Sequence, residues 1–405
     1  MAIELLVNQT ATTAVFDVDV YIRQHLGDRV IPHAHFFTGV YGTLFVLGVV
    51  GNFINICLLI VWNRHRHWNG IDPYLLNLAL TDLLQTLVSL PLEIYKYWNQ
   101  YPWSLGPAFC SAVALLAEAA LCSSILTIIA FTVERYIAVA YPMKALQMQR
   151  SRPFKIILAC WIIALITAIP FAYFHNVNYL QTPDGASIPE ASWCAIHFNL
   201  HEQLAPLFIV STITFYAVPM IVLLVLHRRI WLVVRGRTLD GGSGDEERSD
   251  GSAEAEESFR RSGRLSKQRS SASSRIHEHC HHYSQRVFYG LLAIVVSFFL
   301  CYGLFHAQRL MFALVDWSDQ QQLRQMVRIN DILFPVSGFL YHANPALDSV
   351  FYSLMSDKCR QMCARLLRWA NKSKDTCAHA RSGVHHHPLT RDGTVLYHCG
   401  PPQPV

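Results

Sequence analysis

The chain has 405 residues, enough in length for two or three soluble domains. Its composition, 52% apolar and 15% charged with a mean hydropathy of +0.24, excludes a disordered, collagen-like or disulfide-stapled chain and points to a membrane protein. The net charge of +5 is too small to imply nucleic acid as a partner.

Residues 1–35 read as an N-terminal tail with neither a basic n-region nor an apolar h-region, so the first apolar stretch is expected to act as signal anchor. Asn8-Gln9-Thr10 in that tail is an N-glycosylation acceptor. Seven stretches then reach the roughly 20 residues needed to cross hydrocarbon. They run from about Phe36 to Trp62, Pro73 to Trp98, Pro107 to Val139, Phe154 to Phe174, Leu204 to Val234, Val287 to Val315 and Leu323 to Met355. The fourth is uncharged from Ile156 to Phe174, whereas the seventh carries Arg324, Arg328, Asp331 and Asp348. The expected fold is an all-α membrane protein, a seven-transmembrane helix bundle over residues 36–356.

The third connecting loop, about 236–282, is too polar to bury a core and reads as disordered. Serines after its basic pairs, Ser262 and Ser270, suit protein kinases; an inert solvated linker is the alternative. His277, His279, Cys280, His281 and His282 have metal-ligand chemistry but fit no closed tetrahedral spacing, and no metal site is expected. Over residues 357–370, Cys359, Met362, Cys363, Leu366 and Leu367 recur at helical spacing between basic residues. They predict a short amphipathic helix on the membrane surface, with Cys359 or Cys363 as palmitoylation sites or plain buried thiols. Residues 371–405 read as a disordered tail.

Orientation follows from the basic residues. With the N-terminus outside, 27 of the 33 Lys and Arg fall on the cytoplasmic side and 6 outside or in the outer helix ends. Only Cys110 and Cys194, of eleven cysteines, then lie in the oxidising exterior. They are the available disulfide, two unpaired thiols being the alternative.

Ionisable residues inside the apolar stretches cost about 2.5–3.5 kcal/mol on insertion scales, so each marks a candidate site. They divide by depth. Glu93, Glu118, His306 and Arg309 lie in the outer half, Asp82 and Asp348 near or below the midplane, and Glu134-Arg135-Tyr136 at the inner end of the third stretch. A transporter would place its charges near the midplane, on repeats that this sequence lacks. The pattern suits an outer binding site joined to an inner switch. No hydrolytic triad or P-loop appears, so no enzyme is expected.

From Phe36 to Trp369 the chain resembles rhodopsin-like (class A) G-protein-coupled receptors. The resemblance is carried by Gly51-Asn52, Leu78-Ala79-Leu80-Thr81-Asp82, Cys110, Glu134-Arg135-Tyr136, Trp161, Pro219 and Phe298, in order and each on its expected helix. It implies that Arg135 pairs with Glu134 at rest and contacts a heterotrimeric G protein when active. It also implies a connector of Ile125, Pro219 and Phe298, and a sodium site at Asp82 and Ser124. Sodium, as an allosteric modulator, is the only cofactor it suggests. Within the family the chain is similar to receptors for neuromedin U, pyrokinin and CAPA peptides. The matching segments include Pro91-Leu92-Glu93-Ile94-Tyr95, Tyr101-Pro102-Trp103-Ser104-Leu105-Gly106 and Phe305-His306-Ala307-Gln308-Arg309. This implies that Glu93 and Glu118 receive the arginine of a peptide ending in Pro-Arg-X-amide, with Phe305 and His306 as an aromatic floor and Arg309 orienting the acids. An internal Arg309 ion pair is the alternative role for the two acids.

Several positions depart from the family. Its Cys-Trp-x-Pro reads Cys301-Tyr302-Gly303-Leu304, so the tryptophan is Tyr302 and the kinking proline is missing. The lower tyrosine of the fifth helix is His227. In the seventh, an ungapped reading puts Asp348-Ser349-Val350-Phe351-Tyr352 on the Asn-Pro-x-x-Tyr motif, with Tyr352 as the switch tyrosine and Asn344 added to the sodium site. These changes leave room for shifted basal activity or a decoy receptor. The expected function is a plasma-membrane receptor for an amidated neuropeptide, coupled through phospholipase C, with arrestin, receptor kinases and membrane lipid as further partners. The rivals are another class A peptide receptor (ghrelin, neurotensin or thyrotropin-releasing hormone-like) and a transporter or channel.

Overall fold

A computed structural model describes residues 17–64, 68, 71–148, 151–196, 201–240, 288–316, 318–355 and 368. The expectations for Asn8, for the body of the third loop, for Cys359 and Cys363 of the amphipathic helix, and for the tail lie outside the described residues.

Chain order gives α1 (Val18–Leu26), α2 (Ala34–Asn63), α3 (Asp72–Trp98), α4 (Pro107–Ala140), the short α5 (Pro142–Leu146) and α6 (Arg152–Phe174). A hairpin of β1 (His175–Gln181) and β2 (Ser187–Ile196) follows. Then come α7 (His201–Thr212), a π-helical turn (Ile213–Ala217), α8 (Val218–Asp240), α9 (Phe288–Leu314) and α10 (Gln320–Met355). The seven apolar stretches are therefore α2, α3, α4, α6, the continuous α7–α8 rod, α9 and α10. Six of these are long and apolar enough to cross a membrane by composition alone. The seventh, α10, is the one that carries Arg324, Arg328 and Asp331 in its first half.

Along α6 both faces are apolar, and the inward one is built mostly of small residues. On α6 the inward stripe is Cys160, Ala164, Ala168 and Phe171, while Leu158, Ile162, Ile166 and Ile169 are exposed at the same spacing. Small residues let helices approach in a solvent that gives no hydrophobic drive to pack, and large ones face the chains. The core joins Leu78 of α3, Ile125, Ile128 and Phe131 of α4, Leu223 of α8, Phe298 and Tyr302 of α9 and Tyr352 of α10. Polar contacts fix the register. Asn52 of α2 donates to the Pro345 carbonyl at 3.0 Å and Asn55 to that of Ser349 at 2.9 Å. Asn77 of α3 donates to Thr127 of α4 and accepts from the Trp161 indole of α6, both at 2.9 Å. Pro219 has no N–H to continue an α-helix. The π turn ends just before it, Val218 N–H reaching back to the Ile213 carbonyl.

At one end of the bundle the antiparallel hairpin pairs Val177 with Cys194, and Cys194 is joined to Cys110 at the start of α4 by a disulfide. Residues 18–26, within what composition alone made a tail, form α1. Asp17 caps its first turn by accepting from the N–H groups of Asp19 and Val20. Gly27 ends it at φ +78°, which glycine adopts without a Cβ clash. The helix is tied down by tertiary bonds: Ile22 packs with Tyr101, Ile188 and Ala191, and Tyr21 donates to the Gln181 carbonyl at 2.9 Å. The Tyr101 hydroxyl donates to the Gly27 carbonyl at 2.7 Å.

Candidate functional site

Glu118 lies two turns into α4 from Cys110, on the hairpin side of the bundle. It meets Arg309 of α9 in a two-pronged ion pair, Nη2 to Oε1 and Nη1 to Oε2 at 3.3 Å. Both side chains are 11% exposed. The guanidinium is also enclosed by rings, its carbon standing 4.3 Å from the Phe305 centroid, 4.6 Å from Phe171 and 5.6 Å from Phe208. A planar, weakly hydrated cation suits both a carboxylate fork and aromatic faces. Phe171 of α6 and Phe208 of α7 were invisible to sequence reasoning, because an aromatic residue in an apolar helix carries no sign of its partner.

The second acid is placed differently. Glu93 of α3 pairs with Lys96 at 3.6 Å, and the Lys96 side chain is 42% exposed. Such a pair contributes at most about 1 kcal/mol and yields readily to a competitor. Of the two acids expected to bind together, only Glu118 is held by Arg309. His306 is buried beside this site. Its Nδ1 lies 3.2 Å from Thr212 Oγ1 and its ring stacks on Tyr216 at 4.9 Å. Phe305 packs on Tyr341 of α10 at 5.1 Å.

Deeper in the bundle, the Tyr302 hydroxyl lies 3.1 Å from Gln85 Nε2 and 3.2 Å from Gln85 Oε1 on α3, and its ring packs on Phe298 at 4.6 Å. Gln85 was missed in the sequence. Its signal was available, a polar residue one turn beyond Asp82 in an apolar helix. Asp82, Ser124, Asn344 and Asp348 are all buried. Asn344 donates to Asp348 Oδ2 at 2.7 Å, Ser297 to Asp348 Oδ1 at 3.4 Å, and Ser124 to Thr81 at 2.9 Å. Asp82 Oδ2, Asn344 Oδ1 and the Tyr352 hydroxyl are buried without a hydrogen-bond partner among the described residues.

At the opposite end, Glu134 lies 3.3 Å from Arg152 Nε, and Tyr74 donates to it at 3.5 Å. The Arg135 guanidinium sits 5.6 Å from the Phe131 centroid, and Tyr136 packs edge-on against Tyr141. His227 Nδ1 bonds the Leu223 carbonyl of its own helix at 2.8 Å.

The bundle thus carries ionised side chains at both ends, with the Glu118–Arg309 pair at the end closed by the disulfide-anchored hairpin. The family model for the 7 transmembrane receptor (rhodopsin family) matches residues 51–352. The chain belongs to that family. Among curated proteins, the receptor is similar to the Pyrokinin-1 receptor of Drosophila melanogaster, 31% identical over 83% of this chain and 80% of the relative. It is 32% identical to Neuromedin-U receptor 1 of Homo sapiens, over 79% of this chain and 70% of the relative. It is 27% identical to a neuromedin U receptor homologue of Caenorhabditis elegans, over 87% and 85%. It is thus a multi-pass membrane protein and a receptor rather than an enzyme, as the sequence reading expected.

Proposed function

We propose that this receptor sits in the plasma membrane with its hairpin end outside, binds an amidated neuropeptide ending in Pro-Arg-X-amide, and activates a heterotrimeric G protein of the phospholipase C-coupled class. The orientation rests on the 27 to 6 division of basic residues and on the disulfide, which needs an oxidising compartment. The ligand class rests on one observation: Glu118 lies in a site shaped for a guanidinium, with a carboxylate fork and three aromatic rings. Arg309 is the guanidinium that occupies it. An incoming arginine meets Glu93 first, displaces the exposed Lys96, and competes with Arg309 for Glu118. The names of the pyrokinin and neuromedin U relatives support the same ligand class. On the inner side, Glu134, Arg135, Tyr136 and Tyr352 form the surface and switch for the G protein, with arrestin and receptor kinases following activation.

Sodium fits the buried polar cluster as an allosteric modulator. Asp82 Oδ2 and Asn344 Oδ1 are acceptors without a donor among the described residues, and the Asn344 amide donates to the Asp348 carboxylate. A bound cation would neutralise part of this buried negative charge.

The test is a calcium-release screen in cells displaying the receptor, using synthetic Pro-Arg-X-amide peptides. A response is expected, and Glu93→Gln and Glu118→Gln should each weaken it at least tenfold. No response despite surface display would overturn the ligand assignment. An unchanged response in both variants would overturn the arginine site.

A further inference from the structure

Gly303 sits in the middle of α9, where glycine weakens a helix relative to alanine. Its surroundings account for it. A Cβ at 303 would lie 2.8 Å from the Tyr216 hydroxyl oxygen but 3.7 Å from the ring carbon that bears it. The first distance is a clash and the second an ordinary contact. The hydroxyl that occupies this space donates to the Phe299 carbonyl at 3.2 Å. Phe299 is four residues before Gly303, so this is the carbonyl that helical spacing also assigns to the Gly303 N–H. The Tyr216 ring packs on Phe299 at 5.5 Å and stacks on His306 at 4.9 Å. Tyr216 belongs to the π turn between α7 and α8, a distortion that often marks a functional position.

We propose that Tyr216 and Gly303 form an interhelical clamp that holds α9 in its resting position against the α7–α8 rod. The glycine opens a slot one hydroxyl deep, and the hydroxyl fills it and binds the helix backbone there. Movement of α9 away from α8 must break this bond. His306 links the clamp to the ring cluster around Arg309, so a ligand that rearranges Phe305 and His306 acts on the clamp's outer side.

The slot makes a prediction about sign. In purified, ligand-free full-length receptor, Gly303→Ala should lower the unfolding temperature, because the new methyl expels the Tyr216 hydroxyl. In a Tyr216→Phe background the same change meets only the ring carbon, so the alanine's better helix propensity should raise the unfolding temperature. Each shift is expected to be on the order of 2–4 °C. A packing role alone would not move the helix. An environment-sensitive fluorophore at Tyr289→Cys, an exposed position near the start of α9, therefore provides a second readout, with the other accessible cysteines replaced and the disulfide kept. Tyr216→Phe should change its emission, Gly303→Ala should change it the same way, and the double variant should add nothing to Tyr216→Phe. The proposal is overturned if Gly303→Ala has the same sign in both backgrounds, or if Tyr216→Phe leaves the emission unchanged. Neither measurement uses a peptide or a G protein, so both outcomes are independent of the ligand assignment.

Discussion

Arg309 is the counter-ion of Glu118, and Phe171, Phe208 and Phe305 pack around its guanidinium and leave the pair largely buried. A buried pair is costly to break from one side, because the remaining charge keeps its desolvation penalty and loses its partner. Arg309→Met is therefore expected to destabilise the receptor by about 3–5 kcal/mol. The double variant Arg309→Met with Glu118→Gln should recover most of that loss while still failing to bind an arginine ligand. Thermal unfolding of the purified variants, with surface display as control, measures both. Equal loss in the single and double variants would show that the rings rather than the charges hold the site.

The tyrosine in place of the family's tryptophan leads to a second prediction. Tyr302 and Gln85 satisfy each other in the core, and each is buried. Tyr302→Phe leaves the Gln85 amide unsatisfied and should cost about 1–3 kcal/mol. Adding Gln85→Leu should cost less than the sum of the two single changes, since neither polar group then remains alone. Basal signalling should rise in Tyr302→Phe, because a bond between α3 and α9 is lost. A thermal-shift double-mutant cycle and a ligand-free reporter assay test the two parts separately.

How much of this was legible beforehand depended on the kind of signal. The seven spans were, because apolar runs of fixed length have one cause; even α10, with Arg324, Arg328 and Asp331 in its first half, was placed from its apolar remainder. The depth of Glu118 and Arg309 was also legible, and their pairing stood as one of two readings. The Tyr302–Gln85 bond was not, since its partners are 217 residues apart and nothing local joins them. Tyr216 and Gly303 each look ordinary alone, and only their close approach gives them meaning. Helix α1 was hidden for another reason: nine residues are too few to be a stable helix by themselves, and tertiary bonds from Tyr21, Tyr101 and Gln100 hold it.

The disulfide predicts a folding defect confined to the hairpin end. Cys110 and Cys194 close a loop with a sequence separation of 84, and Cys194 pairs with Val177 in the hairpin. Removing a native disulfide typically costs about 2–5 kcal/mol. Cys194→Ser should sharply reduce surface display, and Cys110→Ser with Cys194→Ser should be no worse than either alone. Quantitative surface labelling of an epitope at the N-terminus reads this. Normal display of the double variant would mean that the hairpin is held by its other contacts, Ser111 Oγ to the His175 carbonyl and Trp103 N–H to the Ser192 carbonyl, both at 2.8 Å.

The buried carboxylates give the last prediction. Asp82 and Asp348 are both buried in the bundle, and among the described residues Asn344 and Ser297 hydrogen-bond to Asp348. A monovalent cation between them would stabilise the resting arrangement by mass action, more strongly as its concentration rises. Replacing potassium by sodium in the buffer should therefore raise the unfolding temperature of the ligand-free receptor and lower its basal signalling. Asp82→Asn should abolish both effects, because it removes one charge and supplies a donor to the same space. If sodium dependence survives in Asp82→Asn but disappears in Asp348→Asn, the cation lies nearer α10 than α3, and Asp348 rather than Asp82 is its principal oxygen ligand.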